Sequence, residues 1–290
     1  MLLTPVKSVI VYNYSSKDLS VPMTQAASAT SAAAPASLLQ IETKGRVLLV
    51  GLNRPTKRNA LNDAIILEIE QAFLALPEEI GAVVIHGIGG HFSAGLDLSE
   101  LQERDATAGL HHSRMWHRVF DLIQHARVPV IAALQGAVIG GGLELACSAH
   151  IRVADPSVYY ALPEGSRGIF VGGGASMRLP RLIGVHRMAD MMLTGRVYKA
   201  EEGATLGFSQ YLTDADAALA KAIELAERVA QNAPLTNFAV LQALPLIAEA
   251  SPQTGLMLES LMASVAQSDQ EAKNRIRDFL EKKTGKVKSG

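Results

Sequence analysis

Residues 82–95, AVVIHGIGGHFSAG, and residues 129–142, PVIAALQGAVIGGG, repeat one pattern: an apolar run, closely spaced glycines, and the approach to a helix start. A short apolar run bounded by glycine reads as a buried strand. Each copy therefore predicts a strand, a tight turn and a helix N-terminus. The first N–H groups of a helix have no intrahelical acceptor, and the helix dipole favours negative charge beside them. Two such ends converging on one point would make an anion hole from backbone alone. A chain organised around this repeat is an α/β chain.

The second copy continues into VIGGGLELA, residues 138–146, which puts Glu144 in the first helical turn. Glycines in this place can cradle a phosphate, let a helix approach a strand, or aim a catalytic backbone group. A P-loop needs lysine and then serine or threonine after its last glycine, whereas Leu143 and Glu144 follow here. The spacing also departs from a dinucleotide fingerprint, and a carboxylate would repel phosphate. Packing and catalysis remain. Glu164, in ALPEGSRG, follows Pro163 at the end of another apolar strand and precedes the glycine-dense run RGIFVGGGASMRLPR. Two carboxylates, each beside a glycine turn, point to an acid/base pair.

The remaining pattern is coarser. LLQIETKGRVLLVGLN reads as a hairpin around Lys44-Gly45. Asn62 and Asp63 are caps for a helix over 64–76, in which Ile65, Ile66, Ile69, Ala72 and Phe73 recur at helical spacing. A polar helical stretch is expected from Leu98, an amphipathic helix from Met115 to His125, and short strands in HIRVAD and VYYAL. Trp116 and Phe120, four apart, read as core or pocket packing. Beyond Arg178 the chain reads as helices, including Ala217–Gln231, Leu235–Ala248 and Leu256–Leu280. Residues 23–37 are rich in Ala, Ser and Thr and carry no charge, so residues 1–37 read as a flexible extension. The core is expected over 38–232 and a helical C-terminal region over 233–290, its last six residues a tail.

Composition narrows the function classes. Twenty-seven basic residues balance 28 acidic ones, with no basic run, so nucleic acid is not an expected partner. No apolar run reaches the ~18–20 residues that cross a bilayer, so no membrane partner is expected either. A single cysteine, Cys147, rules out an intrachain disulfide framework and points to the cytoplasm. His111, His112, His117 and His125 lack a matching carboxylate cluster, so no metal site is expected.

Four segments, LNRPTKRNAL (52–61), FSAGLDLSEL (92–101), GAVIGGGLELA (136–146) and PEGSRGIFVGGGASMRLPRLIG (163–184), together resemble the enoyl-CoA hydratase/isomerase, or crotonase, family over roughly residues 38–285. The resemblance implies a crotonase-like spiral of ββα units followed by a helical C-terminal region that builds homotrimers or hexamers. It implies an acyl-CoA thioester as substrate, its carbonyl oxygen held by the backbone N–H groups of Leu96 and Gly141. It implies no metal or redox cofactor, since CoA arrives as part of the substrate.

Hydratases of the family use two glutamates, and Glu144 and Glu164 fill both positions. The resemblance also implies that the Gly172 N–H orients water, and that Lys57, Arg58 and Ala60 lie in the CoA-contacting loop. Ala94, Gly95, Leu98, Gly140 and Pro163 would border the substrate. Asp97 belongs to that set by position, although holding the AGLDL turn suits it better than chemistry. The implied reaction is hydration of a 2-enoyl-CoA to a 3-hydroxyacyl-CoA. The alternatives within the family are double-bond isomerisation, thioester hydrolysis and decarboxylation, or a silent site that only binds. The chain departs from the hydratase pattern at Val171, Ala175, Ser176, Met177 and His150, changes expected to border the acyl pocket or its support.

Overall fold

The computed structural model describes residues 37–100 and 103–281. The expected extension, up to Ala36, and the expected tail lie outside the described residues.

The hairpin forms as β1 (Leu39–Lys44) and β2 (Val47–Leu52), antiparallel and closed through Gly45 at φ 57°. Asn62 caps α1 (Asp63–Leu74) by accepting the Ile65 N–H, and Ile65, Ile66 and Ile69 turn inward. Then come β3 (Ala82–Gly87), α2 (Ala106–Gln124), β4 (Val130–Leu134), β5 (Ala137–Ile139), α3 (Gly141–Ser148), β6 (Ile151–Ala154) and β7 (Tyr159–Ala161). Helices α4 (Ala175–Ile183), α5 (Val185–Thr194) and α6 (Ala200–Leu206) follow, with the short β8 (Tyr198–Lys199) before α6 and β9 (Tyr211–Leu212) after it. The chain ends in α7 (Ala218–Val229), α8 (Pro234–Phe238), α9 (Leu244–Glu249), α10 (Pro252–Ser268) and α11 (Gln270–Leu280).

Six strands form one sheet in the order β1-β2-β3-β4-β6-β9, parallel from β2 onward. Alternation along these strands sends side chains to two separate cores. Leu48, Val50, Val83, Ile85, Val130 and Ala132 face α1, α2 and α3. Val47, Leu49, Ala82, Val84, Ile131 and Ala133 face the Ala218, Ala222, Leu225 and Ala226 stripe of α7. A sheet covered on both faces explains why its strands read as unbroken apolar runs. A second sheet, β5-β7-β8, stands apart and carries the glycine turn into α3.

Several local expectations need correction. Among the described residues a single 3-10 turn, Leu98–Glu100, stands where a polar helix was expected to start, and 103–105 are not helical. Helix α2 begins nine residues before Met115, because Asp105 accepts the Ala108 N–H and caps a polar first turn that apolar periodicity does not mark. The expected Leu235–Ala248 helix is divided by a π-helical turn at Ala239–Ala243. The expected Leu256–Leu280 helix is two, because Asp269 takes an extended conformation and caps α11. The brief strands β5, β8 and β9 escape an alternation test that needs four or more residues. No helix of the described residues is long and apolar enough to cross a membrane.

Candidate active site

After β3 the chain turns back and lays Ser93–Asp97 between two neighbours. Ser93 bridges Val138 in parallel, its N–H donating to Ala137 O at 2.9 Å and its carbonyl accepting from Ile139 N at 3.1 Å. Leu96 bridges Leu61: the Leu61 N–H donates to Gly95 O at 2.7 Å, and the Asp97 N–H to Leu61 O at 2.8 Å. This register occupies the amide of Asp97 but leaves that of Leu96 without an acceptor among the described residues.

Side chains hold this arm in place. Ser93 Oγ donates to Asn59 O at 2.8 Å and accepts the Gly95 N–H at 3.1 Å. Asn59 is fully buried at φ 54° and donates to Ile88 O and His91 O, while its amide oxygen accepts from Arg54 N. Asp97 accepts from Ser99 N and Oγ, from Arg54 at 2.8 Å and from Lys57 at 2.9 Å. Burial by itself would raise its pKa, but the hydrogen bonds from Ser99, Lys57 and Arg54 outweigh this and hold it well below the usual carboxylate range.

The second arm leaves β5 through Gly140, at φ 51° and ψ −122°, a conformation closed to residues with a Cβ. A Cβ there would also meet Glu164 Oε1 at 2.7 Å. Helix α3 starts at the next residue and is buried over its whole length. As a first-turn residue, Gly141 has no intrahelical acceptor for its N–H, and none is found among the described residues. The arms lie close together: a Cβ on Gly141 would stand 3.5 Å from Leu96 N, and one on Gly95 would stand 3.2 Å from Gly141 N. Both unpaired donors line one cavity of about 360 Å³.

Glu144 and Glu164 line that same cavity, 4% and 7% exposed. One turn into α3, Glu144 uses Oε1 to accept the N–H groups of Gly173 (2.8 Å) and Ala175 (3.0 Å). Burial pushes its pKa up, opposed by these two hydrogen bonds and by the charges of His117 and Arg178. Glu164 follows β7, and its buried Oε2 has no partner among the described residues. Burial pushes its pKa up too, reinforced by the neighbouring charge of Glu144. Two acids facing two spare donors across a small, largely apolar space can exchange protons with a ligand whose oxygen gains charge.

Of the other residues singled out in the sequence, Ala94, Gly95, Leu98, Gly140 and Gly172 line the cavity. Lys57, Arg58, Ala60, Asp97 and Pro163 do not. Lys57 and Arg58 are exposed on the loop behind the first arm, and Ala60 is buried there. The Gly172 carbonyl accepts from Ser113 Oγ at 2.7 Å. Val171 lines the cavity and Ala175 supports Glu144, whereas Ser176 and Met177 border a separate hollow on the far side of α2. His150 does not line the cavity. Its ring ties the Val130 N–H to the Gln124 carbonyl, a link between β4 and α2. Trp116, read as core or pocket packing, walls the cavity, with Cζ3 3.0 Å from where a Gly141 Cβ would be.

Sequence reasoning passed over Ser93, Asn59, Ser113, Gly173 and Arg178. Arg178 is buried and donates to Gly173 O, Gln124 and Asp121, clamping the loop whose N–H groups reach Glu144. The signal available for it was a charged residue inside an otherwise apolar helix face.

Residues 42–289 match the family model described as enoyl-CoA hydratase/isomerase. The chain is similar to the 2,3-dehydroadipyl-CoA hydratase of Escherichia coli (strain K12), at 34% identity over 252 residues, 86% of this chain and 97% of that relative. It is similar to the short-chain-enoyl-CoA hydratase of Clostridium acetobutylicum, at 30% identity over 246 residues, 84% and 94% of the two chains. Among solved structures, a Rhodopseudomonas palustris CGA009 protein described as a candidate enoyl-CoA hydratase is 73% identical with a TM-score of 0.84, covering 86% of this chain and 97% of that one. The enoyl-CoA hydratase of Bacillus anthracis superposes with a TM-score of 0.80 at 28% identity, covering 85% and 97%.

Proposed function

The chain belongs to the enoyl-CoA hydratase/isomerase family, and from that premise we propose that it hydrates a 2-enoyl-CoA thioester to the 3-hydroxyacyl-CoA. One observation carries the reading: both carboxylates share a cavity with the two unpaired backbone donors. The N–H groups of Leu96 and Gly141 take the thioester oxygen and stabilise the charge that develops there as water adds. A donor of this kind is worth about 10²–10³ in rate.

The surroundings of the two acids favour different tasks. Glu144 accepts two N–H groups and has His117 and Arg178 nearby, all of which favour its charged form. It therefore takes the proton of the water attacking the β-carbon. Glu164 has an oxygen with no partner among the described residues, and burial together with the charge of Glu144 favours its protonated form against the opposing pull of its own backbone N–H and of Arg167. It gives its proton to the α-carbon. The pair titrates as one coupled system, ending each addition with the proton on Glu144. Isomerisation needs only one such acid, so the presence of both supports hydration.

The step moves protons and no net electrons, so it needs no redox group, and the two backbone donors supply the oxyanion stabilisation a metal would otherwise give, CoA entering with the substrate. The Gly172 N–H, at the cavity wall, orients the water, while the loop of Lys57, Arg58 and Ala60 meets CoA. The exposed apolar side chains of Leu256, Met257, Leu261 and Phe279 on the last helices support assembly into trimers or hexamers. A buried lone thiol fits a cytoplasmic enzyme.

The test is loss of the conjugated thioester absorbance with a panel of enoyl-CoA substrates. Glu144→Gln and Glu164→Gln should each lower kcat by about 10²–10⁴. Absence of hydration across the panel, or full activity in both variants, would sink the reading.

A further inference from the structure

Glu164 opens a single 3-10 turn, Gly165–Arg167, in which the Arg167 N–H donates to the Glu164 carbonyl at 3.0 Å. In such a turn residues i and i+3 eclipse, so the side chains of Glu164 and Arg167 leave on the same side. Both line the catalytic cavity. The Arg167 guanidinium makes no hydrogen bond or ion pair among the described residues. Arg104, the other arginine lining the cavity, stands 3.7 Å from Asp63, and behind its walls Arg54 and Lys57 hold Asp97 while Arg178 holds Asp121. Beyond Arg167 the wall is apolar, with Ile169 and Phe170 exposed at the mouth.

We propose that Arg167 receives a carboxylate at the distal end of the acyl chain, so that the substrate is an ω-carboxylated 2-enoyl-CoA. This inference rests on the hydratase reading, which places the thioester carbonyl at Leu96 and Gly141 and the α- and β-carbons between Glu144 and Glu164. Arg167, one turn past Glu164, lines the same cavity, which also has to hold the rest of the acyl chain. A guanidinium presents paired N–H donors that match a carboxylate and offers nothing to a terminal methyl. The pairing also serves the chemistry. An unoccupied Arg167 favours the charged form of Glu164. A bound carboxylate neutralises that pull when Glu164 must carry a proton.

The test compares two six-carbon substrates of equal length, 2,3-dehydroadipyl-CoA with its terminal carboxylate and 2-hexenoyl-CoA with its terminal methyl. The readout is the ratio of their kcat/KM values. The wild-type protein should favour the carboxylate about tenfold, a modest figure because the guanidinium stands at an open mouth. Arg167→Leu should bring the ratio to about one, and Arg167→Glu should invert it. A wild-type ratio at or below one overturns the proposal. So does an Arg167→Leu variant that weakens both CoA thioesters alike while sparing the corresponding pantetheine thioesters, the pattern of a contact with CoA phosphate. Failure to hydrate either substrate, or any shorter enoyl-CoA, would instead strike the hydratase reading itself.

Discussion

The arm through Ser93, Leu96 and Asp97 is held by side chains, whereas the arm through Gly140, Gly141 and Gly142 is held by their absence. In the first, Asn59, Ser93 and Asp97 spend buried polar groups on neighbouring backbone and cations. In the second, the glycines let α3 sit against Ser93, and the helix itself aims the Gly141 N–H. The same task, presenting one N–H to one oxygen, is done once by hydrogen bonding and once by close packing. These mechanisms fail differently. A lost hydrogen bond leaves the chain near its place, but an added atom in a packed contact forces the arms apart.

The contact between Ser93 and Gly142 can be attacked from both sides. A Cβ on Gly142 would lie 2.6 Å from Ser93 O and 2.7 Å from Ser93 Cβ. The first of these is backbone and cannot swing away, so Gly142→Ala must spread the two donors. We expect kcat/KM for an enoyl-CoA to fall by more than about 10², as for loss of a donor. Overpacking of about 1–3 kcal/mol should lower Tm as well. Wild-type kinetics in Gly142→Ala would show that the donors tolerate separation, and the packing account of the second arm would fail.

Ser93→Ala is the milder cut. It removes one bond to Asn59 O and leaves the buried Gly95 N–H without its acceptor, at a cost of about 1–3 kcal/mol. The Leu96 N–H follows directly after that amide, so the rate should drop by roughly tenfold, mainly in kcat, since ground-state contacts are kept. Ser93→Thr, which keeps the hydroxyl, is the control that separates the bond from bulk. If Ser93→Ala costs as much rate as Gly142→Ala, the distinction between a bonded and a packed arm is void.

The same contrast decides what could be seen in the sequence. The packed arm was legible: strand, glycines and helix are written consecutively in 129–146, and Glu144 is spaced by one helical turn. The bonded arm was legible only as a glycine turn, because its partners come from Arg54–Asn59, 34 to 43 residues upstream, and such pairings leave no periodic trace. The expected helix after Leu98 fails for the same reason. Asp97 is committed to Arg54, Lys57 and Ser99, and among the described residues that follow it the chain makes one 3-10 turn, Leu98–Glu100, before α2. Glu164 was found from its place between a strand and glycines, but its bare Oε2 required the packed cavity. Arg178 and Arg167 look alike as letters. One is buried in bonds and the other is open to the cavity, which depends on tertiary packing alone.

Each arm also carries a buried carboxylate, and the two shift in opposite directions. Burial raises Glu144 above the ordinary 4.5, so the native protein holds that proton more tightly than the unfolded chain. Its contribution to stability is present below that value and is lost as pH rises through the folded pKa. Glu144→Gln removes the titration, so at pH 7 the variant should be more stable than wild type, by on the order of a few degrees in Tm. The gap should close on acidification to below about 4.5. Asp97 runs the other way. Hydrogen bonds from Ser99, Lys57 and Arg54 override burial and lower it from 3.8, so its stabilisation is present above that value and fades only as pH falls through the lower folded pKa. Asp97→Asn should therefore be less stable than wild type at pH 7 and stay so until strongly acidic solution. Thermal unfolding of the three proteins from pH 7 downward checks both signs, and curves that shift in the same direction would show that the two arms are not electrostatically distinct.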